Sequence, residues 1–370
     1  MIDPVQLTAE LVRIPSCDPP GGELAVAEFV TRTLREVGIS AELDEFMPGR
    51  ANVIGRIPGR GEKPALVMSA HLDTVPVGEM PWSFDPFAGD IVEGRIRGRG
   101  ASDMKSAVAA FVAAADRLNR RQAALAGDVI LAFTAGESAN CLGARHLVRQ
   151  GFQKEIGAFL CGEPSTLDLI VVEKAVLWLE AEARGEMGHV SGARGVNAIE
   201  VMADAILALR GLSLDLPGHP LLSPPSVAVG RIQGGSAVNV TPDRCTAEID
   251  VRFGPGIDPG QVMAQIAAVL PPRVSLRMTD FKPAVEESPD SPFIATCANA
   301  VAARTGRKPT IKGVSYYSDG AILLDGINAP FAILGPGDLG MSGQPDETAS
   351  ADAIRACTDI YVKIAEDWLA

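Results

Sequence analysis

Short apolar runs alternate along the chain with longer stretches whose apolar residues recur at helical spacing. In residues 22–37, Val26, Phe29, Val30, Leu34 and Val37 fall on one face, and Gly38 follows as a stop, which predicts an amphipathic helix. Residues 41–46, 52–57 and 65–68 read as strands. A long loop, 76–96, carries Trp82, Phe84 and Phe87 as expected packing anchors. Beyond the glycine-rich stretch 98–105 an alanine-rich helix runs to Leu118, followed by a strand at 129–133, a helix at 143–150 and a strand at 156–161. Strands alternating with helices predict an α/β fold with a mostly parallel central sheet flanked by helices.

The texture changes after Lys174. Residues 175–184 alternate as a half-exposed strand does, 196–209 read as a helix, 226–232 and 245–253 as strands, and 259–270 as a second helix. This predicts a smaller α+β module inserted at 175–285, with residues 1–174 and 286–370 forming the first domain. In the last part, 291–305 is expected to be helical, 309–312 and 331–334 extended, and 348–368 a closing helix. The chain contains no internal repeat and no low-complexity segment.

Composition narrows the function classes. No apolar run reaches the length of a membrane span, and residues 1–4 lack the basic and apolar regions of a signal peptide, so a cytoplasmic protein is expected. A net charge of -13, from 46 acidic against 33 basic residues, argues against nucleic acid or an anionic membrane as partner. The six cysteines form no CxxC pair and are expected to be reduced and mostly buried. Only four histidines exist (His71, His146, His189 and His219), so any metal site must be rich in carboxylates.

Candidate chemistry gathers at strand ends. Ser69-Ala-His-Leu-Asp-Thr-Val-Pro76 places His71 and Asp73 after an apolar run, an arrangement suited to a metal ligand whose free ring nitrogen is held by a carboxylate. Asp103 lies in GRGASDMK, Glu137 in FTAGES and Glu163 in LCGEPS, each in a loop that follows a strand. Taken singly, Asp103 could be a helix cap, Glu137 a solvated turn residue and Glu163 an ordinary loop acid. Together they fall where an open α/β sheet forms its ligand crevice.

HLDTVP, GRGASDMK, FTAGES and CGEPS together resemble the zinc-dependent aminoacylase and carboxypeptidase family, that of acetylornithine deacetylase, succinyl-diaminopimelate desuccinylase and glutamate carboxypeptidase. The resemblance extends into the inserted module, where Gly185-Glu-Met-Gly-His189, Gly195-Val-Asn-Ala-Ile199, residues 234–242 and Asp250-Val-Arg252 resemble further family signatures. It implies that His71, Asp103 and Glu163 hold one metal, with Asp103 bridging to a second, and that Glu137 is the general base. It also implies that His189 polarises the substrate carbonyl across a homodimer formed by the inserted domain, and that Asn239 and Arg252 bind a small carboxylate substrate. Gly320, after Tyr316-Tyr317-Ser318-Asp319, is taken with them as substrate-binding, although packing accounts equally well for the two tyrosines. His146 and His219 match nothing in the family and are read as structural.

Two positions depart from the family pattern. Ser138 stands where relatives carry a second glutamate, and Gly343 where they carry a histidine; both missing groups would ligate the second metal. His71, Asp103 and Glu163 alone supply three ligands and leave an open position, the usual arrangement of a catalytic zinc. The expectation is therefore an amidohydrolase cleaving an N-acyl or peptide-like C–N bond with one Zn2+, the donor set also suiting Mn2+ or Co2+. Two alternatives stay open: a dinuclear enzyme using Ser138, Asn140, Cys141, Gln344, Asp346 or Glu347 as substitute ligands, and a non-hydrolytic small-ligand-binding relative.

Overall fold

The computed structural model describes residues 1–121, 124–189 and 195–370, and of His189 the backbone alone. The chain forms two compact units: Met1–Val171 with Glu286–Lys312 and Ser318–Ala370, and Val172–Val285 with Gly313–Tyr317.

The first unit is built on a sheet whose strands run in the order Ser40–Met47, Arg50–Ile57, Val129–Thr134, Ala65–His71, Ile156–Cys161, Phe331–Ile333 and Leu169–Glu173. The four strands from Val129–Thr134 to Phe331–Ile333 run parallel, and the pairs outside them are antiparallel. Ala65–His71 and Val129–Thr134 are buried almost throughout, as central strands covered on both faces must be, which explains their unbroken apolar runs. Register then fixes the chemistry. His71 pairs with Thr134 and Ser69 with Cys161, so the loops bearing Asp73, Glu137 and Glu163 leave the sheet at one edge. Helix Ser106–Arg121 is buried along most of its length, its alanines allowing close approach to its neighbours. Closing helix Ala351–Trp368 packs against it through stacked Phe111 and Tyr361 rings, and the Tyr361 hydroxyl donates to the Leu334 carbonyl at 2.6 Å.

The structure adds strands Ile91–Val92 and Arg95–Arg97 at the end of the 76–96 loop, and strand Thr348–Ser350 ahead of a closing helix that begins at Ala351 rather than 348. Two further elements also lie outside the pattern-based expectation. Helix Pro4–Val12 is short, and its start is set by the Asp3 cap and Pro4 rather than by a long periodic run. Strand Leu169–Glu173 sits in an apolar stretch that runs straight into the next strand without a turn signal.

The second unit is an antiparallel sheet in the order Ser226–Gly234, Arg244–Phe253, Ala175–Arg184, Val274–Lys282, with helices Ala198–Arg210 and Pro259–Val269. Alternate residues Leu177, Leu179, Ile249 and Val251 join Met202 and Ile266 in its core. Val274–Lys282 was not among the expected strands, although Val274, Leu276 and Met278 alternate with polar residues over its first six positions. All six cysteines are free thiols, five of them buried.

Candidate metal centre

His71 is the last residue of its strand, 5% exposed. Its Nδ1–H donates to the Asp73 carbonyl oxygen at 2.9 Å, which fixes the tautomer and turns Nε2 inward. Nε2 lies 3.0 Å from Asp103 Oδ1 and 3.8 Å from Glu163 Oε1. One donor atom each from His71, Asp103 and Glu163 lies within 4.8 Å of the others. These three residues are therefore brought together.

Asp73 plays a different part from the one its spacing implied. Its carboxylate stands 3.8 Å from His71 Nδ1, beyond hydrogen-bond reach, and instead accepts the backbone N–H groups of Glu137 and Ser138, each at 3.0 Å. The ring is held by the Asp73 carbonyl, while the buried carboxylate aims the turn that presents Glu137. One residue thus couples the imidazole to the proposed base.

Asp103 does not cap a helix; it lies in the distorted turn Ala101–Lys105, ahead of helix Ser106–Arg121, and the Asp103–Met104 peptide is cis. Its backbone N–H donates to Glu347 Oε1 at 3.0 Å, and its Oδ2 accepts from the Ser342 hydroxyl. Glu347 is fully buried, takes further N–H bonds from Gly100 and Ser102, and is paired with buried Arg99 at 2.6 Å. Arg99 also donates to the carbonyls of Gly343 and Gln344 and lies over the Trp82 ring at 5.0 Å. Trp82 and Phe84 are accordingly half-buried partners of arginines, Phe84 with Arg97, rather than core anchors. Gly335 and Gly337 permit this loop to approach: a Cβ on Gly335 would come within 2.3 Å of the Glu163 carbonyl, and one on Gly337 within 2.1 Å of that of Ser102.

The imidazole and the acids around it shift one another's ionisation. Burial pushes the Glu137 and Glu163 carboxyls well above the ordinary carboxylate range, opposed by His71 and reinforced by the neighbouring acids. Burial alone would depress His71, but Glu163, Asp103 and Asp73 raise it well above its usual value. Burial would also raise Asp103, yet its bond to His71 holds it low. An imidazole and clustered buried or half-buried carboxylates, two of them shifted toward the protonated form, are a donor set that a divalent cation fits.

Asp319 belongs to the same electrostatic cluster although the sequence reading passed over it for its neighbour. Burial raises its carboxyl to about 6, and the Thr134 hydroxyl donates to it. Its position in a Ser-Asp-Gly turn ahead of a helix is the signal that could have drawn attention to it. Gly320 itself is buried, its N–H donates to Ser318 Oγ at 3.1 Å, and a Cβ there would meet the Phe331 ring at 3.1 Å. Packing accounts for the lack of a side chain at this position.

Within the second unit, His189 is placed by its backbone, which pairs with Val240; its side chain lies outside the described part. Asn239 is exposed in the turn just before Val240, beside His189 on this two-stranded ribbon. Arg252 is held by Asp250 through Nε at 2.7 Å and Nη2 at 2.9 Å, donates to the Ser315 carbonyl, and lies over Tyr317. It can reach a ligand only through the hydrogens these bonds leave over. His146 pairs with Asp44 at 2.8 Å and stacks on Phe46, and His219 Nδ1 accepts the Leu221 N–H, so both have structural partners.

An imidazole and two carboxylates converging at the carboxyl edge of an α/β sheet, with a third acid beside them, define a metallohydrolase-type centre. A sequence profile of peptidase family M20/M25/M40 matches residues 67–367, and the chain belongs to that family. A succinyl-diaminopimelate desuccinylase from Rhodospirillum centenum is 30% identical over 386 residues, covering 100% of this chain and 98% of the relative. An acetylornithine deacetylase from Vibrio atlanticus is 30% identical over 367 residues, covering 95% and 93%. Among solved structures, an M20 family metallo-carboxypeptidase from Sulfolobus solfataricus superimposes with a TM-score of 0.82 at 18% identity, covering 99% of each chain. A dinuclear metal binding peptidase of the same family from Bacillus subtilis gives 0.73 at 20% identity, covering 99% of this chain and 97% of its own. Among the described residues no helix is long and apolar enough to cross a membrane.

Proposed function

We propose that this chain hydrolyses the N-acyl or peptide-like C–N bond of a small carboxylate-bearing substrate, using one catalytic metal held by His71, Asp103 and Glu163. Family membership makes it a metal-dependent hydrolase of amide bonds; the single metal and the residue roles are our reading. The observation that carries it is the convergence of three donors within 4.8 Å, against Ser138 and Gly343 at the two positions where a second metal would need ligands.

A bound divalent cation supplies Lewis acidity toward the scissile carbonyl and brings a water into the range of neutral deprotonation. The remaining work falls to the chain. Glu137, aimed by Asp73 and raised in pKa by burial, accepts the proton of the attacking water and returns it to the leaving nitrogen. His71 stays in one tautomer through the Asp73 carbonyl. His189, Asn239 and Arg252, in the separate inserted unit, are assigned by their motif positions to the carbonyl and carboxylate of the substrate. Zn2+ is the proposed metal, with Mn2+ or Co2+ compatible with the same donors.

Three of the six candidate substitute ligands have other engagements, which supports one metal over two. Glu347 pairs with Arg99, Asp346 accepts the Ser83 N–H at 2.7 Å, and Asn140 accepts from Arg145 at 3.2 Å. The inserted unit is proposed to pair two chains. Its Ser226–Gly234 strand ends the sheet order among the described residues and is largely exposed, Ile232 included. Sedimentation gives the assembly state directly.

Elemental analysis of metal-saturated protein should find one tightly held ion per chain; two would overturn the one-metal reading. A hydrolysis screen over N-acyl amino acids and dipeptides should find turnover that Glu137→Gln lowers by about 10²–10⁴-fold with metal content unchanged. Absence of turnover on every amide, with ligands still stabilising the fold, would favour a binding protein instead.

A further inference from the structure

The two oxygens of the Asp103 carboxylate have different partners. Oδ1 faces His71 Nε2 at 3.0 Å within the donor cluster, whereas Oδ2 accepts the hydroxyl of Ser342. Ser342 is delivered by a tight turn, in which Met341 donates its N–H to the Asp338 carbonyl at 3.1 Å and Gln344 to the Met341 carbonyl at 3.2 Å. That turn is fastened by Arg99 through the Gly343 and Gln344 carbonyls, at 3.2 and 3.3 Å. The main chain of Asp103 is held separately, by Glu347. The carboxylate is therefore held from two sides, by His71 at Oδ1 and by Ser342 at Oδ2, and the Ser342 bond is the one that comes from outside the donor cluster.

We propose that Ser342 is a positioning residue for the metal ligand Asp103: its hydroxyl occupies Oδ2 and so presents Asp103 to the cation through Oδ1 alone. The inference rests on the reading of His71, Asp103 and Glu163 as the metal site, and adds to it a specific cause for one-oxygen, non-bridging ligation. A hydroxyl on Oδ2 takes one of that oxygen's two lone pairs and fixes the orientation of the carboxylate, which disfavours chelation through both oxygens or bridging to a second ion. Partners that orient a metal ligand in this way are worth about 10–100-fold in affinity. Ser342 is exposed on its loop, and the Arg99 bonds to that loop are made with main-chain carbonyls, so removing the hydroxyl leaves the fastening intact.

The test is Zn2+ titrated into metal-free protein in competition with a chromophoric chelator, alongside thermal melting of the metal-free chain. Ser342→Ala should weaken Zn2+ binding by about tenfold or more at an unchanged melting temperature, and Ser342→Thr, which keeps the hydroxyl, should restore affinity to near that of the parent. Ser342→Ala binding Zn2+ as tightly as the parent would overturn the proposal, as would Ser342→Thr failing to rescue. His71→Ala serves as the control on the underlying reading: parent-like Zn2+ affinity in that variant would remove the metal site itself, an outcome distinct from failure of Ser342 alone.

Discussion

His71, Asp103 and Glu163 converge on one point from loops at the sheet edge, whereas the 338–347 loop that meets Asp103 brings it a hydroxyl and no imidazole. The first region is under electrostatic stress: its carboxyls are buried or half-buried, mutually repelling and partly driven toward protonation. The second is at rest, with its buried charges Arg99 and Glu347 matched to each other and to main-chain groups. Perturbed acids clustered with an imidazole at a sheet edge mark a candidate binding centre, and matched buried charge marks a scaffold. The contrast is between a cluster of candidate donors and a loop whose hydroxyl and main chain meet one of them.

The largest expected effect comes from breaking the stressed side. His71→Ala removes the one imidazole of the cluster and leaves its acids without their main favourable partner. Tight metal binding and amide hydrolysis should both fall below detection, read by elemental analysis after dialysis and by turnover of an N-acyl amino acid. A His71→Ala variant with parent-like activity would erase the distinction between the two regions.

Breaking the resting side should instead cost stability first. Glu347→Ala leaves the Arg99 guanidinium buried without its carboxylate and takes the acceptor from the N–H groups of Gly100, Ser102 and Asp103. Removing one partner of a buried pair costs about 3–5 kcal/mol, so urea unfolding of the metal-free chain should show a loss of that order. Glu347→Gln, which keeps an acceptor oxygen, should lose less. A stable Glu347→Ala protein that had merely lost metal would place Glu347 among the ligands and reverse the assignment.

The donor side was legible in the sequence because its signals are local. Each of His71, Asp103 and Glu163 sits in a short motif, and the apolar runs ahead of His71 and Glu163 announce strands. The resting side was not legible, since its bonds join residues far apart in the chain, such as Arg99 with Glu347, 248 positions away. Asp73 was half legible: its spacing from His71 was right, but which of its oxygens reaches the ring depends on where the Glu137 turn lies. Helix Pro4–Val12 and strand Val274–Lys282 escaped for a different reason. One is too short to establish a period; the other does alternate over Val274, Leu276 and Met278, a run of only three apolar positions between helix Pro259–Val269 and a polar stretch.

The smallest expected effect is also the finest probe of the loop. Gly343 has φ +72, in the left-handed region that side chains with a Cβ rarely adopt, while the nearest atom to an added Cβ is Val75 Cγ2 at 3.8 Å. Space is open, so the penalty of Gly343→Ala is that of the backbone alone, about 1–2 kcal/mol. It should appear as a modest fall in melting temperature with metal content unchanged. Gly343→His pays the same backbone penalty and, with Ser138 still in place of a carboxylate, should leave the metal content at its parent value. A rise in metal content with Gly343→His alone would mean that the loop had kept a latent ligand geometry. An unchanged value, together with the stability loss in Gly343→Ala, would mean that the loop's backbone is set for hydrogen bonding to Arg99, and that adding back the side chain is not enough to restore a second metal.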